Sequence, residues 1–208
     1  DRKTRGGGVA IVIKESINLT PLPAIHEHKS MFCKVNFYGN FIVIGVVYRP
    51  PTGHLGILER LHDYAQRFRG DNVKFILAGD FNLPEMNWSN MSPAGTNVRH
   101  PKILINLAFS CGLAQIVSAP TRITATTTHI LDLLFISSTI KWDSVAAMNE
   151  LSDHKLVFGT FSFQKRYSRI KGVITVKDFN RADDESILDD LEMSLDDFNL
   201  DESVNVLW

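Results

Sequence analysis

Phe75-Ile76-Leu77-Ala78-Gly79-Asp80-Phe81-Asn82 is an apolar run that ends on a glycine, a carboxylate, an aromatic ring and an amide. The stretch Val73 to Ala78 is short, almost wholly apolar and free of helical periodicity, so it reads as a buried strand that releases Asp80 at its C-terminal end. Asp80 and Asn82 are two positions apart, so on an extended strand end they face the same side.

Outward from this strand, the pattern alternates between strands and a few helices. Upstream, Phe41 to Tyr48 is a nearly continuous apolar strand halted by Pro50-Pro51, and Tyr38-Gly39-Asn40 turns back to a strand over Met31 to Phe37. Val9 to Ile13, after Gly6-Gly7-Gly8, reads as a further buried strand. Leu58, Leu61, Ala65 and Phe68 space out a helix between Leu55 and Arg69. Downstream, a polar loop from Leu83 to His100 is long enough to carry function, and groove contacts are expected there. Pro101 to Cys111 is helical, with Gly112 placed to cap it. Leu113 to Val117, Ile130 to Ile136 and Lys155 to Phe163 read as strands. Many strands with two good helices predict an α/β protein in which two mixed sheets pack face to face and are flanked by helices.

Composition narrows the class. A chain of 208 residues that is 44% hydrophobic, with 13 Phe, can bury one sizeable core. No run reaches the roughly 18–20 uncharged apolar residues of a membrane span, and no secretory signal is visible after Asp1. Cys33 and Cys111 sit in apolar surroundings and are too few for a disulfide framework or a zinc site, which fits an intracellular protein. The net charge of −1 hides an asymmetry. Of 22 Lys+Arg and 23 Asp+Glu, residues 178–208 hold one and 11, which leaves 21 against 12 in residues 1–177, a formal +9. A basic body suits a polyanion such as nucleic acid. Residues 164–208 read as a linker, basic and then acidic, with an amphipathic helix carrying Ile187, Leu188, Leu191, Leu195 and Phe198.

A second string, Ser152-Asp153-His154, adds an acid and an imidazole. Asp132 is out of place inside Ile130-Leu131-Asp132-Leu133-Leu134-Phe135, because burying a charge unpaired costs several kcal/mol. His154 is its natural partner, and such a pair fixes the ring's tautomer and supports an imidazolium facing a phosphate. Tyr48, at a strand end before Arg49-Pro50-Pro51, has a hydroxyl that could reach the same phosphate. Asp-x-Asn and Asp-His are each common in turns. In this order they suggest metal-assisted phosphodiester cleavage, with carboxylates to hold Mg²⁺ and orient water, an amide for the phosphate and an imidazole for protons.

The sequence resembles the endonuclease/exonuclease/phosphatase family, and most closely the endonuclease domain of non-LTR (LINE-type) retrotransposons. The resemblance spans roughly residues 1–163 and rests on Gly6-Gly7-Gly8-Val9-Ala10-Ile11, Val47-Tyr48-Arg49-Pro50-Pro51, Gly79-Asp80-Phe81-Asn82, Gly112 to Val117 with Pro120-Thr121-Arg122, Leu131-Asp132-Leu133-Leu134-Phe135 and Ser152-Asp153-His154. It implies a four-layer, DNase I-like α/β sandwich. It also implies that Asp80 orients or deprotonates water, Asn82 holds the scissile phosphate and Tyr48 touches it. Asp132 would stand behind His154, which serves as base or transition-state stabiliser. Asp153 would support a metal, Ser152 would position the Asp-His pair, and Thr121 would be a phosphate or supporting contact.

The family's first Asn and its main Glu ligand are expected upstream of Gly6, and Glu15 and Glu27 match neither, so the chain reads as an N-terminally incomplete domain lacking the first strand-helix unit. The function implied is Mg²⁺-dependent (or Mn²⁺-dependent) nicking of double-stranded DNA for target-primed reverse transcription. Element RNA and a reverse transcriptase domain would be partners, no membrane would be involved, and the nucleus would be the place of action. Two alternatives stay open: a repair-type (apurinic/apyrimidinic) nuclease or phosphatase of the same fold, and a non-catalytic nucleic-acid-binding relic.

Overall fold

The computed structural model describes residues 8–25, 29–51, 53, 55–68, 73–96, 98–150, 153–165 and 183–196. The chain divides into two compact units, residues 1–168 and 169–208.

The first unit is built on a six-stranded mixed sheet. Its strands are β1 (Leu19–Leu22), β2 (Lys29–Phe37), β3 (Asn40–Tyr48), β4 (Lys74–Asp80), β7 (Leu113–Gln115) and β10 (Asp132–Ser137), in the order β1-β2-β3-β4-β10-β7. Strands β2 and β3 form a hairpin whose two-residue turn, Tyr38-Gly39, takes positive φ at both positions (50° and 77°), the twist that suits flanking strands. Strand β4 runs parallel to β3, so the chain crosses over through α1 (Gly56–Gln66). Strand β10 is antiparallel to both β4 and β7.

The two sheet faces follow from the period of two along each strand. Val43, Val47, Phe75, Leu77, Leu133 and Phe135 face one way and pack under α1 and α2 (Arg99–Ser110). Each helix presents an apolar stripe to them, Ile57, Leu58, Leu61, Tyr64 and Ala65 from α1, and Pro101, Leu104, Leu107 and Ala108 from α2. Pro101 is tolerated because it lies in the first turn. Gly112, at φ 60°, turns the chain out of α2 in the left-handed conformation expected of a cap.

Ile76, Ala78, Leu134 and Ile136 face the other way, where Val145, Val157 and Phe161 pack against them. Those three belong to a second sheet, the long hairpin of β11 (Lys141–Glu150) and β12 (Lys155–Ser162). The predicted α/β sandwich of packed sheets with helices is therefore the fold. Two short hairpins sit at its rim: β5 (Met86–Asn87) with β6 (Ser92–Pro93), inside the long polar loop, and β8 (Arg122–Ile123) with β9 (Thr128–His129).

Two expectations need correction, and one strand was not foreseen. Val9 to Ile13 forms no strand among the described residues. Val9, Ile11 and Ile13 are half-buried while Val12 is 94% exposed, and the segment has no ladder partner; Ile11 and Ile13 lean on Cys33, Val35 and Ile42 instead. The strand read over Leu113 to Val117 ends at Gln115, whose side-chain amide takes both the N–H and the C=O of Val117. Strand β11 was not foreseen, since Val145-Ala146-Ala147 offers little β signal.

In the second unit the described element is helix α3 (Asp184–Asp196). Ile187, Leu188 and Leu191 are exposed along it. Phe198 and residues 166–177 of the basic stretch 164–177 lie outside the described residues.

Candidate active site

One end of the six-stranded sheet carries a row of polar side chains in direct register. Tyr48 closes β3 and pairs with Asp80, which closes β4; Asp80 in turn pairs with Asp132, which opens β10. The topology forces this row: β3 and β4 are parallel and end together, and antiparallel β10 must begin where β4 ends. By alternation Asp80 shares the face of Ile76 and Ala78, and Asp132 that of Leu134 and Ile136, which is the face met by the β11–β12 hairpin. His154 arrives from that hairpin, one residue before β12. Its Nδ1 lies 2.8 Å from Asp132 Oδ2. An ionised carboxylate only accepts, so the ring's proton is on Nδ1. Asp80, Asp132 and His154 bring one ligand atom each within 4.8 Å of one another.

The Gly79–Asn82 string works by a turn rather than by an extended strand end. Gly79 has φ 152°, and a Cβ there would overlap the carbonyl oxygen of Val47, so only glycine lets β4 approach β3 so closely. Strand β4 ends at Asp80, and Asn82 takes the left-handed conformation (φ 46°). The Asn82 N–H donates to Asp80 Oδ1 at 3.0 Å, and its Nδ2 donates to Asp80 Oδ2 at 2.7 Å and to the Arg49 carbonyl at 2.8 Å. Both acceptors are oxygens, which fixes the amide's orientation. With both amide hydrogens committed to these acceptors, Asn82 holds Asp80 in place.

The remaining sequence-predicted residues are spread around this centre. Thr121 is fully buried, and its Oγ1 accepts the N–H groups of Leu131 (3.0 Å) and Asp132 (2.9 Å). It supports the start of β10 from behind. Asp153 does not join the Asp80–Asp132–His154 group. Its Oδ2 accepts from Arg122 Nε at 3.0 Å and lies 2.9 Å from Arg122 Nη2, and that hydrogen bond holds its carboxyl below the usual range. Tyr48 is half-buried, with the Lys29 ammonium 4.3 Å above its ring. Ser152 lies outside the described residues.

Burial raises the Asp80 carboxyl above its ordinary value, and the neighbouring Asp132 charge raises it further, against the pull of the Asn82 bonds and His154. Two carboxylates held side by side, one of them desolvated, form a site that a divalent cation would relieve. The oxygen donors of Asp80 and Asp132 fit Mg²⁺ or Mn²⁺ on that ground.

Two residues here carried no sequence signal of their role. Arg49 is 2% exposed, its guanidinium spent on backbone carbonyls around the site. His100, in the first turn of α2, lines a cavity of about 330 Å³ that adjoins the site through Asn82.

The comparisons with known proteins bear on the family and the fold. A sequence model of a family described as endonuclease-reverse transcriptase matches residues 42–158, just over half of the chain. Among solved structures, the endonuclease domain of TRAS1, a telomere-specific non-LTR retrotransposon, is similar at TM-score 0.61 and 16% identity, over 74% of this chain and 73% of that one. Weaker likenesses include an AP endonuclease from Archaeoglobus fulgidus (TM-score 0.47, 13% identity, 64% and 65% of the two chains). Another is humanized D. rerio TDP2 (TM-score 0.47, 16% identity, 70% and 68%). No curated protein matches the sequence. Among the described residues no helix is long and apolar enough to cross a membrane.

Proposed function

The chain belongs to the endonuclease-reverse transcriptase family, and on that premise we propose that it is a divalent-cation-dependent phosphodiesterase that nicks double-stranded DNA for a non-LTR retroelement. The observation that carries this reading is the convergence of Asp80, Asp132 and His154 at one end of the sheet, with His154 locked on Asp132 at 2.8 Å.

In this reading Asp80, steadied by two bonds from Asn82, orients the attacking water and accepts its proton. Asp132 holds the His154 ring through Nδ1, so that Nε2 is directed to the phosphate and, once protonated, stabilises the charge that builds on its oxygens. Tyr48, beside Asp80 in the ladder, contributes its hydroxyl to the same phosphate. A divalent cation at the carboxylates would polarise the phosphodiester and neutralise developing charge. Residues 164–208 would lead toward a reverse transcriptase domain, with the element's RNA as a further partner and the nucleus as the place of action.

The test is nicking of supercoiled plasmid in Mg²⁺, with Asp80→Ala as control. Conversion to open circles by the chain, lost on chelation and in Asp80→Ala, supports the assignment. Equal nicking by Asp80→Ala, or no nicking even by the chain extended upstream to the expected Asn and Glu, would sink it.

A further inference from the structure

Arg49 is a cation sealed inside the protein next to the candidate site. Its own chain folds over it: Gly53 N–H donates to the Pro50 carbonyl at 2.7 Å, and a Cβ on Gly53 would stand 2.9 Å from Arg49 Cγ, so Arg-Pro-Pro-x-Gly makes a tight turn around the side chain. One guanidinium nitrogen, Nη1, donates to the carbonyls of Phe81 (3.3 Å) and Asn82 (3.0 Å). The other, Nη2, donates to the Gly53 carbonyl (2.7 Å) and meets His100 Nδ1 at 3.1 Å. The backbone of Arg49 completes the exchange: its N–H donates to the Asp80 carbonyl at 2.8 Å, and its C=O accepts from Asn82 Nδ2. Asp80, Asn82, the turn after β3 and the start of α2 thus all hang on one residue.

A guanidinium nitrogen can only donate, so His100 Nδ1 must be the acceptor, which puts the imidazole proton on Nε2. Burial and the Arg49 charge lower the His100 pKa, against the upward pull of the Glu85 carboxylate. Nε2 has no partner among the described residues, and the ring lines the cavity together with Asn82, Glu85, Arg122 and His129.

We propose that Arg49 is the positioning residue of this site, steadying Asp80 through Asn82 and setting His100 as a fixed Nε2–H donor that contacts a phosphate oxygen of the DNA strand in the adjoining cavity. The contact rests on the nuclease reading above; the Arg49 clamp does not. A neutral donor adds hydrogen-bond energy and register without displacing a counterion. This sets His100 apart from Arg122, the half-buried cation on the same cavity that is paired with Asp153, whose loss would remove a positive charge and reduce the salt dependence of binding.

The experiment has two parts, both on the full chain. The His100 tautomer is read at neutral pH by long-range proton–nitrogen NMR of the wild type and of Arg49→Lys. Binding of a short duplex oligonucleotide is then measured against salt for wild type, His100→Ala and Arg122→Ala. The expected results are an Nε2–H ring in wild type that is lost in Arg49→Lys, roughly tenfold weaker binding by His100→Ala at an unchanged salt slope, and a slope lower by about one for Arg122→Ala. A ring protonated on Nδ1, or charged at neutral pH, overturns the clamp even if no variant folds. Wild-type affinity in His100→Ala, or a salt slope that falls with it, overturns the contact. If the wild type nicks plasmid while the contact fails, the nuclease reading survives. If it neither binds nor nicks while the tautomer is as stated, the nuclease reading and the contact fall and the clamp stands.

Discussion

Asp132 stands directly across the β4–β10 ladder from Asp80, carboxylate beside carboxylate on one face of the sheet. Like charges in that relation destabilise the pair when both ionise. The folded Asp80 carboxyl is raised above its ordinary value, by burial first and by Asp132 second. For a raised carboxyl the contribution to stability is full at pH below the unfolded value and is lost as pH climbs through the folded one. At neutral pH the site therefore weakens the fold, and a bound cation restores what is lost. Mg²⁺ should raise the thermal midpoint at neutral pH and do so progressively less as pH falls below the carboxylate range. Asp80→Asn should abolish the Mg²⁺ effect, whereas Asp153→Asn should retain it because Asp153 is occupied by Arg122. Calorimetry across pH decides it; an Mg²⁺ shift that depends on Asp153 and survives Asp80→Asn would place the cation elsewhere.

The 2.8 Å bond between His154 and Asp132 divides the labour between a group at the phosphate and one behind it. Removal of the ring should cost more than removal of its support. We expect His154→Ala to lower kcat by about 10²–10⁴-fold and Asp132→Asn by about 10–100-fold, with KM little changed in the second. Steady-state nicking kinetics give both numbers. Equal losses, or a loss confined to KM, would argue against this order of contact.

Thr121 makes a stability prediction, since its buried hydroxyl oxygen accepts two backbone N–H groups. Thr121→Val keeps the shape and orphans both donors, at about 1–3 kcal/mol for each. Thr121→Ser keeps the oxygen and should fall well short of that. Urea denaturation separates them, and a Val variant as stable as the Ser variant would show that the bonds carry little.

How much of this could be read beforehand depended on whether a residue announced conflict. Asp132 did, as a carboxylate inside Ile130–Phe135, and the partner it needed was there to be named in His154. The run Phe75–Ala78 also declared itself, because a continuous apolar stretch of that length has few other uses. Asp80 and Asn82 were expected to meet by strand alternation. They do meet, through a left-handed turn at Asn82 that spacing alone cannot distinguish from an extended end. Strand β11 stayed hidden because six of its positions from Lys141 to Met148 are exposed and the two half-buried ones, Val145 and Ala147, are small, so no apolar run stands out. Arg49 was the least legible. A cation reads as surface in any sequence, and its burial follows only from a turn that closes over it and four acceptors drawn from that turn and two distant segments.

Gly79 supplies the last prediction, and it separates the fold from the chemistry. The close pairing of β3 with β4 at the site end depends on the missing side chain, since any Cβ there would enter the Val47 carbonyl oxygen at a φ of 152° that L residues rarely adopt. Gly79→Ala must either force β4 away from β3 or twist the Gly79–Asn82 turn. The first breaks the Tyr48–Asp80 register and the second withdraws Asn82 from Asp80. We expect a loss of about 3 kcal/mol or more, at the severe end for single substitutions, with nicking lost in whatever folds. Hydrogen exchange at Val47 and Gly79 tests the route: faster exchange in both strands points to separation, and exchange confined to residues after Asp80 points to the turn. Wild-type stability in Gly79→Ala would contradict the packing described for these strands.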